Sequence, residues 1–111
     1  WDRVTMRNVK IMKPKNGGKL LLVPYDFDFS GMVDANYAIP NTTLGLDSVQ
    51  ERAYLGTRQD KKALVAIESY FVRKRDELYN VIQNCRYLNR VDRQEVINYL
   101  DTYYDDSVIG R

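Results

Sequence analysis

Residues Leu20-Leu-Leu-Val-Pro-Tyr-Asp-Phe-Asp-Phe-Ser-Gly31 decide how the chain is read. Four apolar residues in a row are too few for a typical globular helix and read as a buried strand. Pro24 and Tyr25 then deliver two carboxylates, Asp26 and Asp28, on either side of one aromatic residue, and Ser30-Gly31 turns the backbone away. Acidic residues at the exit of a strand are a setting in which a divalent cation can be held.

Upstream, Asn8-Val-Lys-Ile-Met-Lys13 alternates apolar and basic side chains, the pattern of a strand with one face buried. Pro14 and Lys15-Asn-Gly-Gly18 follow, and Asn-Gly is a strong hairpin signal because both residues tolerate positive φ. The reading is a β-hairpin with strands over 8–13 and 19–25. Downstream, residues 30–59 carry breakers at Gly31, Pro40 and Gly45 but also apolar anchors at Tyr37, Ile39, Leu44 and Leu46. A loop this long inside a domain is usually functional or disordered, and the anchors favour an ordered one. Asp47-Ser-Val-Gln-Glu51 is expected to open a short helix through Tyr54, capped by Asp47 or Ser48 and ended by Gly56.

Two helices complete the chain. From about Asp60 to Asn84, Leu64, Ile67, Phe71, Leu78, Ile82 and Cys85 fall on one stripe. Full burial of each Leu, Ile or Phe would contribute about 1.5–3 kcal/mol. The second helix is expected over 92–105, with Asp92 as N-cap and Val96, Ile97, Leu100 and Tyr104 on its inner face. The short link through Leu88 and Val91 pairs the two antiparallel. The fold class is therefore α+β: an N-terminal hairpin, a long ordered loop with a short helix, and two long antiparallel helices. The expected organisation is a single domain over 1–111, divided as 1–29, 30–59 and 60–106. Its start at Trp1 reads as a C-terminal piece of a larger protein, whose missing N-terminal part would be its first partner.

Composition narrows the chemistry. The 111 residues carry 17 basic and 15 acidic side chains, a net charge of +2 that does not call for a nucleic-acid partner. Histidine is absent, which removes Ser-His and Cys-His nucleophile pairs and histidine-containing zinc sites. One cysteine, Cys85, forms no internal disulfide and reads as a small core residue. No apolar run approaches the ~20 residues that span a bilayer. Charge is uneven, however: Arg3, Arg7, Lys10, Lys13, Lys15 and Lys19 face only Asp2 in the first nineteen residues. That run reads as a solvated rim or as a field that draws phosphate groups.

Carboxylates at i and i+2 on extended backbone point to one side, about 6.5–7 Å apart. Magnesium takes oxygen ligands, commonly one or two carboxylates together with substrate phosphates, so Asp26 and Asp28 suit it. Asn8 is the natural third ligand, because the hairpin brings the start of its first strand toward the end of its second. Asp2 would then lie beside the metal as a base orienting an attacking hydroxyl.

An acid, an asparagine, a hairpin and an Asp-aromatic motif, in that order, resemble the layout of a protein-kinase C-lobe. Trp1-Asp2, Arg7-Asn-Val-Lys10, Val23-Pro-Tyr-Asp-Phe-Asp-Phe-Ser-Gly-Met-Val33, Asn36-Tyr-Ala-Ile-Pro40, Ser48-Val-Gln-Glu-Arg-Ala-Tyr-Leu-Gly56 and Tyr99-Leu-Asp-Thr-Tyr-Tyr104 resemble a bacterial family marked by the same acidic motif. That family is in turn similar, at greater distance, to the spore-coat (CotH-like) atypical protein kinases. Arg7 stands where the family usually has histidine, and the step from Asp2 to Asn8 is one residue longer than in the usual kinase loop. The resemblance implies phosphoryl transfer with Mg2+ and ATP in the full-length protein, Asp26 or Asp28 as metal ligand, Asn8 as second ligand and Asp2 as base. It also implies an extracytoplasmic protein. Two other readings compete: a helical interaction module whose acidic loop is structural, and the manganese site of a nucleotide-sugar glycosyltransferase.

Overall fold

The computed structural model describes residues 7–106. The chain divides into two compact units, Trp1–Ala53 and Tyr54–Arg111. The order of elements is β1 (Val9–Met12), β2 (Leu21–Pro24), a 3-10 turn (Thr42–Leu44), α1 (Lys61–Gln83) and α2 (Arg90–Asp106). The α+β layout read from the sequence is the one observed.

In the first unit β1 and β2 form a two-stranded antiparallel sheet in which Val9, Lys10, Ile11 and Met12 face Pro24, Val23, Leu22 and Leu21. Both strands are shorter than expected, and residues 13–20 connect them. The Gly17 N–H donates to Pro14 O (3.2 Å), so Lys15 and Asn16 are the centre of the turn. Gly17 (φ 77°) and Gly18 (φ 113°) then supply the left-handed residues that bring the chain back. The expected burial of the Leu20–Val23 strand is not observed: Leu22 is 67% exposed. A ribbon of two strands has two faces to cover, and the segment that follows spends its bonds on itself.

That segment is a chain of turns. Ser30 O accepts from Val33 N and Asp34 N, each at 3.0 Å, and Ala35 O accepts from Ala38 N at 2.8 Å. Asn41 caps the 3-10 turn by accepting from Thr43 N (3.1 Å), and Gly45 closes it at φ 69°. The helix expected from Asp47 to Tyr54 does not form. Glu51 Oε1 accepts from the Asp47 and Ser48 amides (3.1 and 2.9 Å), and Ser48 Oγ accepts from Gln50 N (3.1 Å). These side chains satisfy the amides of a helix start, but the chain leaves the turn at once. Side chains that cap also compete with the helix they would cap.

In the second unit, Tyr54 bends over Gly56 and donates to Thr57 O at 2.7 Å. A Cβ on Gly56 would overlap the Tyr54 hydroxyl, so this glycine serves a close ring approach rather than a helix end. Asp60 caps α1 by accepting from Ala63 N at 2.8 Å. Asn89, not Asp92, caps α2: its Oδ1 accepts from Asp92 N (2.9 Å), while its Nδ2 donates to the Asp92 carboxylate (2.7 Å). The link between the helices is tied by Arg93, whose guanidinium donates to Cys85 O (3.0 Å) and Leu88 O (2.9 Å). Cys85 is half-buried just beyond the end of α1.

The helices pair as the expected hairpin, through an aromatic seam. Tyr104 donates to Phe71 O at 3.0 Å, and Tyr79 donates to Asp101. The Arg75 guanidinium lies over the rings of Tyr79 and Tyr104, at 5.3 and 5.0 Å from their centroids. Among the described residues, Ile97, Leu100 and Tyr104 of α2 are the buried apolar side chains. The α1 stripe is less covered than its periodicity implies, since Leu64 and Ile67 are exposed. No helix among the described residues is long and apolar enough to cross a membrane.

Candidate functional site

The site is built where the hairpin ladder runs one pair beyond its strands. Tyr25 N–H donates to Asn8 O at 2.9 Å, and the Tyr25 hydroxyl donates to Arg7 O. This pairing sets the Asn8 side chain against the acidic turn, where its Nδ2 donates to the Asp26 main-chain oxygen at 3.2 Å. The side-chain oxygen of Asn8 is thereby turned from that carbonyl.

Asp26 itself is left-handed, at φ 58°. Asp and Asn adopt this region more readily than other residues with a Cβ, although it still carries strain. The departure from extended backbone corrects the expected i, i+2 spacing. The two carboxyls interact directly enough for each to shift the other's titration, in opposite directions. Hydrogen bonding to Asp28, reinforced by its like charge, raises the Asp26 pKa above the usual carboxylate range. Asp28 moves the other way, held down first by the bond from Asp26, then by the Tyr37 hydroxyl and the Phe29 amide.

Asp28 is the better anchored of the two. Its Oδ1 accepts from Phe29 N (3.1 Å) and its Oδ2 from the Tyr37 hydroxyl (3.3 Å). The Phe29 and Tyr37 rings meet edge to face at 6.2 Å, which orients the donor. The Asp28 charge in turn raises the Tyr37 pKa. In the sequence Tyr37 reads only as an apolar anchor of the loop; nothing in its spacing marks it as a partner of Asp28. A second acidic turn stands further along, where Asp34 (φ 46°) accepts from Gln50 Nε2 at 3.0 Å.

Of the residues named from sequence, Asn8, Asp26 and Asp28 come together at one end of the hairpin, while Asp2 lies outside the described residues. No Lys or Arg among the described residues forms an ion pair with Asp26 or Asp28. No group of three or more His, Cys, Asp or Glu there is arranged to hold a metal ion. A cation would therefore rest on two carboxylates and an amide. All three side chains carry an oxygen, the donor type that suits magnesium or manganese rather than zinc. No family model, no curated protein and no solved structure matches the chain.

Proposed function

We propose that this chain is the C-terminal part of a kinase-like protein, in which Asn8, Asp26 and Asp28 hold a divalent cation for phosphoryl transfer. The observation that carries the reading is the Asn8–Asp26 bond. It fixes the Asn8 amide against the Asp26 main chain, next to a carboxyl pair whose mutual repulsion no cationic side chain relieves among the described residues. Magnesium bound there would offset that repulsion and draw in phosphate oxygens. Asp28, ionised and oriented by Tyr37 and Phe29, supplies the standing negative charge. A cation held there would favour the ionised form of Asp26, whose pKa Asp28 otherwise raises. Asp2 is assigned the role of base toward the phosphoryl acceptor, as the resemblance to kinases implies.

Saturation-transfer NMR on the full-length protein with ATP and, separately, a nucleotide sugar tests the assignment. Magnesium-dependent saturation of ATP, lost when Asp26 and Asp28 both become Asn, is expected. Unchanged nucleotide affinity in that double variant would refute it, and a response to the nucleotide sugar alone would move the site to glycosyl transfer. A second reading, a helical interaction module, draws on the exposure of Leu64, Val65 and Ile67 on α1.

A further inference from the structure

We infer that the outer edge of β1 is a docking edge for an extended, acidic-apolar segment of a partner protein, which adds to the hairpin as a third strand. Because Tyr25 N–H bonds Asn8 O, Asn8–Tyr25 is a bonded pair, and antiparallel alternation makes Val9–Pro24 and Ile11–Leu22 the non-bonded ones. The main-chain groups of Val9 and Ile11 therefore point away from β2, and those of Pro24 and Leu22 point away from β1.

The two edges are not equivalent. Pro24 has no N–H to offer, which blunts the β2 edge as proline commonly does on outer strands. The β1 edge has no proline, and no main-chain bond from Val9 or Ile11 to a residue outside the sheet is present among the described residues. Strand addition to an edge of this kind takes affinity from main-chain bonds and selectivity from alternate side chains.

Charge chooses the occupant. Arg7, Lys10, Lys13, Lys15 and Lys19 are the charged residues between positions 7 and 25, with no acidic residue among them. No carboxylate among the described residues pairs with them. Met12 and Leu21 are exposed on one face of the ribbon, and Ile11 and Leu22 on the other. A bilayer would cover only one face and would leave the edge amides without acceptors. An added strand alternating acidic and apolar residues supplies main-chain partners, counter-charge and apolar cover together.

The test uses fluorescence anisotropy of a capped, labelled heptapeptide of alternating glutamate and valine, titrated with the full chain. Saturable binding is expected, weakened about tenfold by Ile11→Pro, which removes one outward N–H and the bond it makes. Leu22→Pro alters the opposite edge and is expected to leave the affinity unchanged. Lys13→Glu with Lys15→Glu is expected to weaken binding while Tyr25 N–H stays protected from exchange, and this variant decides the matter should Ile11→Pro disturb the hairpin. Absence of saturable binding, equal binding of a lysine-valine peptide, or equal losses from the two proline variants would overturn the inference. Binding only to vesicles of phosphatidylglycerol and phosphatidylcholine would overturn it too.

Discussion

Asn8 Nδ2 donates to the Asp26 main-chain oxygen across 3.2 Å, fastening the residue just before β1 to the turn just after β2. Asn8→Ala removes this bond without touching the ladder bond that its own main chain accepts from Tyr25. A loss of about 0.5–1.5 kcal/mol is expected, the net worth of one such hydrogen bond. Amide exchange should quicken at residues 26–29 and hardly change within β1 and β2. Uniform quickening across the hairpin would show that Asn8 supports the strands instead.

The carboxyl pair predicts opposite titrations. Asp28 has a lowered pKa, so its ionised form favours the folded turn above the unfolded pKa, and that contribution fades as pH falls through the folded value. Asp26 has a raised pKa, so its contribution is present below the unfolded pKa and fades as pH rises through the folded value. Carboxyl 13C titration should show Asp28 ionising first. Asp28→Asn should bring Asp26 back toward the ordinary range, because both leading causes of its shift are Asp28. An unchanged Asp26 titration in that variant would contradict the pairing.

In the helical unit the apolar burial sits on α2. Leu100→Ala is expected to cost about 2–4 kcal/mol by denaturant unfolding, because Leu100 is buried and its loss leaves a cavity. Ile67→Ala, on the exposed part of α1, should cost well under half as much. Equal costs would mean that α1 carries the burial its periodicity first implied.

Gly56→Ala places a methyl group where the Tyr54 hydroxyl lies. The ring must swing away and give up its bond to Thr57 O, at an expected cost of about 1–3 kcal/mol. Tyr54→Phe in the same background should then add little, since the bond is already gone. Full additivity of the two changes would argue against that contact.

What the sequence disclosed followed local chemistry. Asp60 ahead of a periodic apolar run announced the start of α1, and the break at Lys15-Asn-Gly-Gly18 announced the hairpin. The end of that hairpin brought Asn8 to Asp26 and Asp28 because antiparallel pairing leaves little choice. The failures have physical reasons as well. Ser48 and Glu51 look like a helix start because they satisfy the same amides, yet here they close a turn. Asn89 displaced Asp92 as the cap of α2, since either residue can accept from an amide three positions on. The left-handed Asp26 changed the spacing of the carboxyls, and Tyr37 reaches Asp28 through turns whose geometry no periodicity encodes.

Under the proposed function, Asn8, Asp26 and Asp28 together bind a hard divalent cation. Manganese titrated into 15N-labelled protein tests it most directly through paramagnetic broadening. Selective loss of the Asn8 side-chain signals and of the amides of residues 26–29 is expected at low manganese, suppressed by excess magnesium and absent when Asp26 and Asp28 are both Asn. Broadening spread evenly over all exposed carboxylates, or undiminished in the double variant, would contradict it.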